Sequence, residues 1–100
     1  MNLLLLGGTA EAKQLARDLQ QQGIALIYSL VGLVRQPQLD CRVISGGFSA
    51  RGGLRRFIED EAVDAILDVT HPYAQRMSDH AVEVARQCGI PIWRYQRPPW

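Results

Sequence analysis

The chain has few of the residues that build metal sites or disulfide frameworks. It contains two cysteines and two histidines in 100 residues, and they form no cluster. A metal site needs several such ligands close together, so we predict none. Cys41 and Cys88 lie far apart beside apolar residues. This placement favours reduced structural thiols over a disulfide.

Strong net charge and long apolar runs are also lacking. The formal net charge of +1 gives no reason to expect a nucleic-acid partner. The run Leu3–Leu6 is too short for a signal peptide, and no stretch is long enough to cross a bilayer. With 47% apolar residues the composition is that of an ordinary globular domain. We therefore expect a cytoplasmic protein with no membrane partner.

The most informative segment joins an apolar run to two glycines. Leu3–Leu6 shows no alternation, which predicts a strand that is buried on both faces. Gly7 and Gly8 allow a sharp turn and a close approach to a ligand. A helix that opens at Thr9 or Ala10 aims N–H groups at this turn, which suits a phosphate. A tight turn without a ligand is the other interpretation, because Thr9 departs from the G-x-G-x-x-G pattern.

The rest of the chain repeats this alternation of strand and helix. Gly23 and Gly89 stand where helices are expected to end. After the first helix, the apolar patterns predict strand 24–30, strand 43–45, helix 49–61 capped by Ser49, strand 65–69, helix 72–88 and strand 90–95. Residues 31–40 are predicted to form an extended loop. The pattern predicts an α/β fold, a Rossmann-like three-layer sandwich with a parallel sheet of about five strands in the order 3-2-1-4-5.

Small, polar or ring-bearing residues follow four of the predicted strands. In a parallel sheet, ligands bind beyond the carboxyl ends of the strands, where the strand order reverses. The predicted cofactor-binding residues at this edge are Gly7, Gly8, Thr9, Ala10 and Glu11 after the first strand, Ser29, Gly32 and Arg35 at the second, Gly46, Gly47 and Phe48 after the third, and Thr70, His71, Pro72 and Tyr73 after the fourth.

The second strand indicates which dinucleotide is preferred. A dehydrogenase that uses NAD usually places an acid about 20 residues past the glycine turn. No acid occurs between Asp18 and Asp40. Ser29 lies at that place, and Arg35 follows in the loop. A hydroxyl and a guanidinium fit the 2′-phosphate of NADPH, and the missing acid favours this role for Arg35. A solvated loop arginine is the other interpretation.

No residue is predicted to be catalytic. His71 precedes a proline at a helix N-terminus, where it could contact a ligand or cap the helix. It has no recognisable carboxylate or nucleophile partner, so we do not assign it as a general acid. Asp68 is expected to hydrogen-bond the neighbouring loops, and His80 to lie at the surface.

Five sequence blocks together resemble a known family. They are Leu-Leu-Gly-Gly-Thr-Ala-Glu-Ala at 5–12, Tyr-Ser-Leu-Val-Gly at 28–32, Gly-Gly-Phe at 46–48, Asp-Val-Thr-His-Pro-Tyr-Ala at 68–74 and Arg-Pro-Pro-Trp at 97–100. In order and spacing they resemble the precorrin-6A reductases of cobalamin biosynthesis, whose members are longer. The family often reads Gly-Arg-Thr where this chain has Gly32-Leu33-Val34-Arg35, so the basic group is displaced.

The resemblance implies two Rossmann-like domains that use NADPH to deliver a hydride to an acidic precorrin tetrapyrrole. Residues 1–96 would form the nucleotide-binding domain, and 97–100 the start of a linker to a second domain. The chain alone is then expected to be inactive. Two alternatives stay open: a non-catalytic nucleotide- or ligand-binding module, and a domain fragment that associates with itself.

Overall fold

A computed structural model of the protein describes residues 2–7, 10–30, 42–45, 48, 52–70 and 75–95. Within these residues the chain alternates between strands and helices. The elements in chain order are β1 (Asn2–Leu6), α1 (Ala10–Gln21), β2 (Ala25–Leu30), β3 (Arg42–Ser45), α2 (Leu54–Asp60), β4 (Ala65–Asp68), α3 (Gln75–Cys88) and β5 (Ile92–Arg94). The loop predicted at 31–40 lies outside the described residues.

The strands form one parallel sheet with the order β3-β2-β1-β4-β5. The predicted fold class and strand order are confirmed. β1 lies at the centre, where Leu4 pairs with Ile27 of β2 on one side and with Ile66 of β4 on the other. Leu4 is completely buried, because neighbouring strands flank it and apolar side chains cover its face.

Helices cover both faces of the sheet, and each face has its own apolar cluster. α1 packs on the face that carries Leu3 and Leu5, which we call the α1 face. α2 and α3 supply side chains to the cluster on the opposite face, with Leu4 and Leu6, which we call the α2/α3 face. Successive residues of β1 therefore enter both clusters. This double burial explains why the run shows no alternation of apolar and polar residues.

Two glycines end helices as predicted. Gly23 and Gly89 follow α1 and α3 with φ angles of 78° and 69°, in the left-handed region that favours glycine. In both cases the next residue, an isoleucine, donates its N–H to a carbonyl five residues earlier, at 3.2 and 3.0 Å. This closure satisfies a terminal carbonyl and turns the chain directly towards the following strand.

The predicted start of α2 is wrong. Ser49 is a favourable N-cap by residue type, but the helix begins at Leu54, after Gly53. Gly52 and Gly53 have φ angles of 85° and 95°, which no α-helix contains, so a helix cannot run through them. β5 is also shorter than predicted, because its pairing with β4 covers only Ile92–Arg94. The first residues of the predicted third helix, 72–74, lie outside the described part of the chain.

The described helices include none that is both long and apolar enough to cross a membrane. The described residues also contain no group of three or more potential metal ligands. Cys88 is a free thiol that packs, partly buried, against the α2/α3 cluster. His80 is exposed on α3, as predicted. Cys41 lies outside the described residues.

Candidate dinucleotide site at the carboxyl edge of the sheet

The carboxyl ends of the parallel strands lie along one edge of the sheet, and β1 marks the point where the strand order reverses. Leu6, the last residue of β1, pairs with Ser29 of β2 on one side and with Asp68 of β4 on the other. Ser29 and Asp68 are thus level with each other, two strand spacings or about 10 Å apart. Because side chains alternate along strands, both share the α2/α3 face with Leu6.

Buried polar side chains are concentrated at this edge. Among the described residues, the buried polar or charged ones are Ser29 (0% exposed), Asp68 (1%) and Ser78 (2%). Ser78 belongs to the first turns of α3, which follows β4. Burying a polar group costs free energy unless it is hydrogen-bonded. The hydrogen bonds of these three residues therefore show which of the three side chains are satisfied within the fold.

Asp68 and Ser78 are both hydrogen-bonded within the fold. Oδ1 of Asp68 accepts hydrogen bonds from the backbone N–H of Thr70 at 3.1 Å and from its Oγ1 at 2.7 Å. Thr70 Oγ1 also lies 3.3 Å from Oγ of Ser78. Since the single hydroxyl hydrogen of Thr70 is directed to Asp68, Ser78 is the donor in the second bond. This network ties the end of β4 to α3, and it confirms that Asp68 bonds to the loop beside it.

Ser29 is different, because its hydroxyl has no hydrogen-bond partner among the described residues. Its backbone carbonyl is used, since it accepts from Gly7 N at 2.8 Å. An unsatisfied buried hydroxyl costs about 1–3 kcal/mol. The hydroxyl lies at the strand end where the sequence lacks an acid. It is the one buried side-chain polar atom of the described residues that lacks a partner.

Gly7 has a packing reason to be glycine. A Cβ added there would lie 2.3 Å from Cζ and 2.5 Å from the hydroxyl oxygen of Tyr28, whose ring is completely buried on the α1 face. The N–H of Gly7 continues the β1–β2 pairing to Ser29. Tyr28 therefore explains Gly7 without a ligand, and the N–H of Gly7 is already used. Any phosphate-binding donors of the turn must come from residues after Gly7.

α1 begins with Ala10 and Glu11, as predicted, and follows the carboxyl end of β1 in the chain. The N-terminus of a helix carries a partial positive charge, and the acidic Glu11 in the first turn complements it. The same carboxylate would repel a phosphate placed beside it. Glu11 therefore does not favour a phosphate beside it at this helix end.

Phe48 lies in the apolar core. It is only 7% exposed and packs against Phe57 of α2, with ring centroids 5.3 Å apart and ring planes tilted by 54°. Its ring therefore supports α2 from the end of β3. Thr70 lies beside Asp68, as described above. The other predicted site residues lie outside the described part of the chain: Gly8, Thr9, Gly32, Arg35, Gly46, Gly47, His71, Pro72 and Tyr73.

The sequence analysis missed Ser78, although the pattern of α3 contains a signal for it. Ser78 precedes the buried residues Ala81 and Ala85 by three and seven positions. That spacing places it on the same helix face. A serine on the buried face of a helix needs a partner, and Thr70 provides it.

Comparisons with known proteins agree on one family. Residues 2–100 match the family model described as precorrin-6x reductase CbiJ/CobK. The chain is 40% identical over 99 residues to the precorrin-6A reductase of Mycobacterium tuberculosis, and 41% identical over 102 residues to that of Rhodococcus erythropolis. In each case 98% of this chain is covered, and it spans 40% of the relative's length.

A solved structure is also similar over the whole chain. The structure titled CobK precorrin-6A reductase superposes with a TM-score of 0.90 at 37% sequence identity. The match covers 100% of this chain and 40% of that one. The larger part of each of these relatives therefore lies outside the matched stretch.

Proposed function

This chain belongs to the precorrin-6x reductase family CbiJ/CobK, and we propose that it forms the NADPH-binding part of an enzyme that reduces a precorrin macrocycle. The observation that carries the proposal is the Ser29 hydroxyl, which is buried without a described partner at the carboxyl end of β2. A bound ligand with an oxygen at this position would remove the cost of that burial.

NADPH is the form of the cofactor that the chain suits best. No acid occurs between Asp18 and Asp40 to bind a ribose 2′-hydroxyl. Ser29 stands at the strand end instead, and Arg35 is the first basic residue that follows it. A hydroxyl with a guanidinium can hold a 2′-phosphate through charge-assisted hydrogen bonds. Arg35 lies outside the described residues, so its role rests on the sequence.

The residues of this chain would bind and orient the cofactor, and we assign none of them a catalytic role. When bound, NADPH supplies the hydride. The Ser29 hydroxyl would hydrogen-bond an oxygen of the dinucleotide. Asp68, Thr70 and Ser78 would hold the segment after β4 in a fixed position, because their hydrogen bonds join β4 to α3. The hydrogen bond from Gly7 N to Ser29 O would keep the backbone at Gly7 beside β2.

Turnover is proposed to require more chain than is present here. The matched stretch is 40% of the length of the curated relatives. Hydride transfer needs both reactants held in register and shielded from water. The described residues of the proposed site lie along one edge of a single sheet. We propose that residues 1–96 are one domain, that 97–100 begin a linker, and that a second domain closes the site over the precorrin.

Titration of the chain with NADPH and with NADH tests the cofactor assignment. We expect NADPH to bind more tightly by about 1.5–3 kcal/mol, which is roughly 12- to 150-fold, because only NADPH offers the charged phosphate. Arg35→Ala should remove the difference. Arg55→Ala is the matched control, since Arg55 is an exposed arginine of α2 that pairs with Glu59. Equal affinities, or a preference that survives in Arg35→Ala, would contradict the assignment.

A further inference from the structure

Part of the α1 face carries none of the described helices. α1 contacts β1 and β2 but, among the described elements, neither β4 nor β5. α3 contacts β4 and β5 from the other side of the sheet. The two strands at this end are therefore covered by a described helix on one face only. In parallel sheets both faces are normally covered. On this face Ala65 and Val69 are still buried in the α1-face cluster, so the exposed part is the outer one, at β5.

Two exposed side chains and a partly buried one line this outer part of the α1 face. Leu67 of β4 lies at the margin of the α1-face cluster and pairs in register with Trp93 of β5. Tyr95 lies two residues beyond Trp93, and its N–H continues the pairing to Asp68 O at 2.9 Å. The alternation of the strand therefore puts Tyr95 on the same face. We call Leu67, Trp93 and Tyr95 the Trp93 patch.

The exposure of the patch is unusual for this protein. Three large apolar residues are exposed among the described ones, and two of them are Trp93 (52%) and Tyr95 (41%). The third, Val82 (52%), lies on α3. Trp and Tyr are the residues most enriched at the energetic centres of interfaces. Two of them on the same face at the edge of the sheet indicate a docking surface.

We propose that the Trp93 patch docks an apolar helix from the part of the full-length reductase that lies outside the matched stretch. This inference rests on the proposed function, in which the enzyme has a second domain. The larger part of each relative is outside that stretch, and the proposed function places a second domain beside it. A helix across β4 and β5 would complete the layer that α1 begins over β1 and β2.

A chimera tests the proposal in a full-length chain. In it, these 100 residues replace the matching stretch of the M. tuberculosis precorrin-6A reductase, to which they are 40% identical. Hydroxyl-radical footprinting with mass spectrometry compares the chimera with the 100-residue chain. We expect Trp93 to be oxidised severalfold more slowly in the chimera. Val82 is the internal control, because it is equally exposed but lies outside the patch, and its rate should not change.

A second arm adds the remaining part of the M. tuberculosis enzyme to the 100-residue chain and measures association by calorimetry. Trp93→Lys should weaken binding by at least about 30-fold, the loss expected for an interface centre. Val82→Lys should bind like the unchanged chain. This arm decides the matter if the chimera does not fold, and failure of the unchanged chain to bind would then overturn the proposal.

Two further outcomes would also overturn it. One is equal oxidation of Trp93 in the chimera and in the chain. The other is a dimer of the 100-residue chain that sedimentation detects and that Trp93→Lys abolishes, while Trp93 is not protected from oxidation in the chimera. The patch would then be covered by a second copy of the chain. NADPH titration of the same samples separates the two proposals. Protection of Trp93 without NADPH binding would support docking and contradict the cofactor site, and the reverse result would contradict docking alone.

Discussion

Replacement of Ser29 by alanine should stabilise the free protein while weakening its binding of NADPH. The hydroxyl is completely buried and has no described partner, so its removal relieves a cost of about 1–3 kcal/mol. A space of ~20 Å³ left by one oxygen would take back about 0.5 kcal/mol at ~24 cal/mol per Å³. The free energy of unfolding should therefore rise by about 0.5–2.5 kcal/mol, with a Tm increase of about 4–8 °C per kcal/mol.

The same variant should lose one hydrogen bond to the cofactor. That loss is worth about 0.5–1.5 kcal/mol, or a roughly 2- to 12-fold higher Kd for NADPH. Urea unfolding and NADPH titration of the same preparations measure both effects. Ser78→Ala is the matched control, because Ser78 is also a buried serine but is hydrogen-bonded to Thr70. It should lower the stability of the protein.

Two results would refute this reasoning. If Ser29→Ala lowers the free energy of unfolding, the hydroxyl has a partner in the free protein and does not point to a ligand. If stability rises while the Kd for NADPH is unchanged, the hydroxyl is unsatisfied but does not contact the cofactor. Only higher stability together with weaker binding is the behaviour expected of a residue kept for function at a cost to stability.

Three further predictions concern residues that hold the site and the helices in place. Gly7→Ala should lower the free energy of unfolding by about 1–3 kcal/mol, because its Cβ would overlap the Tyr28 ring. In a double-mutant cycle with Tyr28→Val, measured by urea unfolding, the two losses should not add. Additive losses would show that the ring is not the obstacle. Thr70→Val should cost about 1.5–3 kcal/mol, since it removes the hydroxyl bonded to the Asp68 carboxylate. Thr70→Ser keeps that hydroxyl and should cost much less, so equal losses in a denaturation series would contradict the assignment. Ala62→Gly should stabilise the protein by about 0.5–1 kcal/mol, because Ala62 has a φ of 52° after α2; a lower Tm in thermal unfolding would count against the left-handed conformation.

The elements of the fold were predictable because their causes are local. The apolar run of β1 predicted burial on both faces, and its last four residues are 0–5% exposed. The spacing of Ala12 and Ala16 predicted the inner face of α1, and both are completely buried. Strands separated by helices then left a parallel sheet as the expected arrangement, with right-handed crossovers.

The prediction failed where local preference and the backbone disagreed. Ser49 is a good N-cap by residue type. The φ angles of Gly52 and Gly53 nevertheless prevent a helix from passing through them. A propensity says which residues favour a helix end, but it does not say which of several candidates the packing will use. Leu54 begins α2 and is itself buried in the core, so the start of the helix agrees with its packing.

The sequence by itself determined the kinds of element and their order, because periodicity and glycine positions act over a few residues. It also indicated the edge of the sheet at which we propose that a ligand binds. Tertiary structure decided which side chains meet there. Ser29 and Asp68 flank Leu6 only because three strands share one register. Tyr28 fills the space beside Gly7 because β1 and β2 pair, and Trp93 is exposed on the edge strand β5. The register of the strands and the burial of their side chains depend on packing between residues that are far apart in the sequence. No local sequence pattern contains that information.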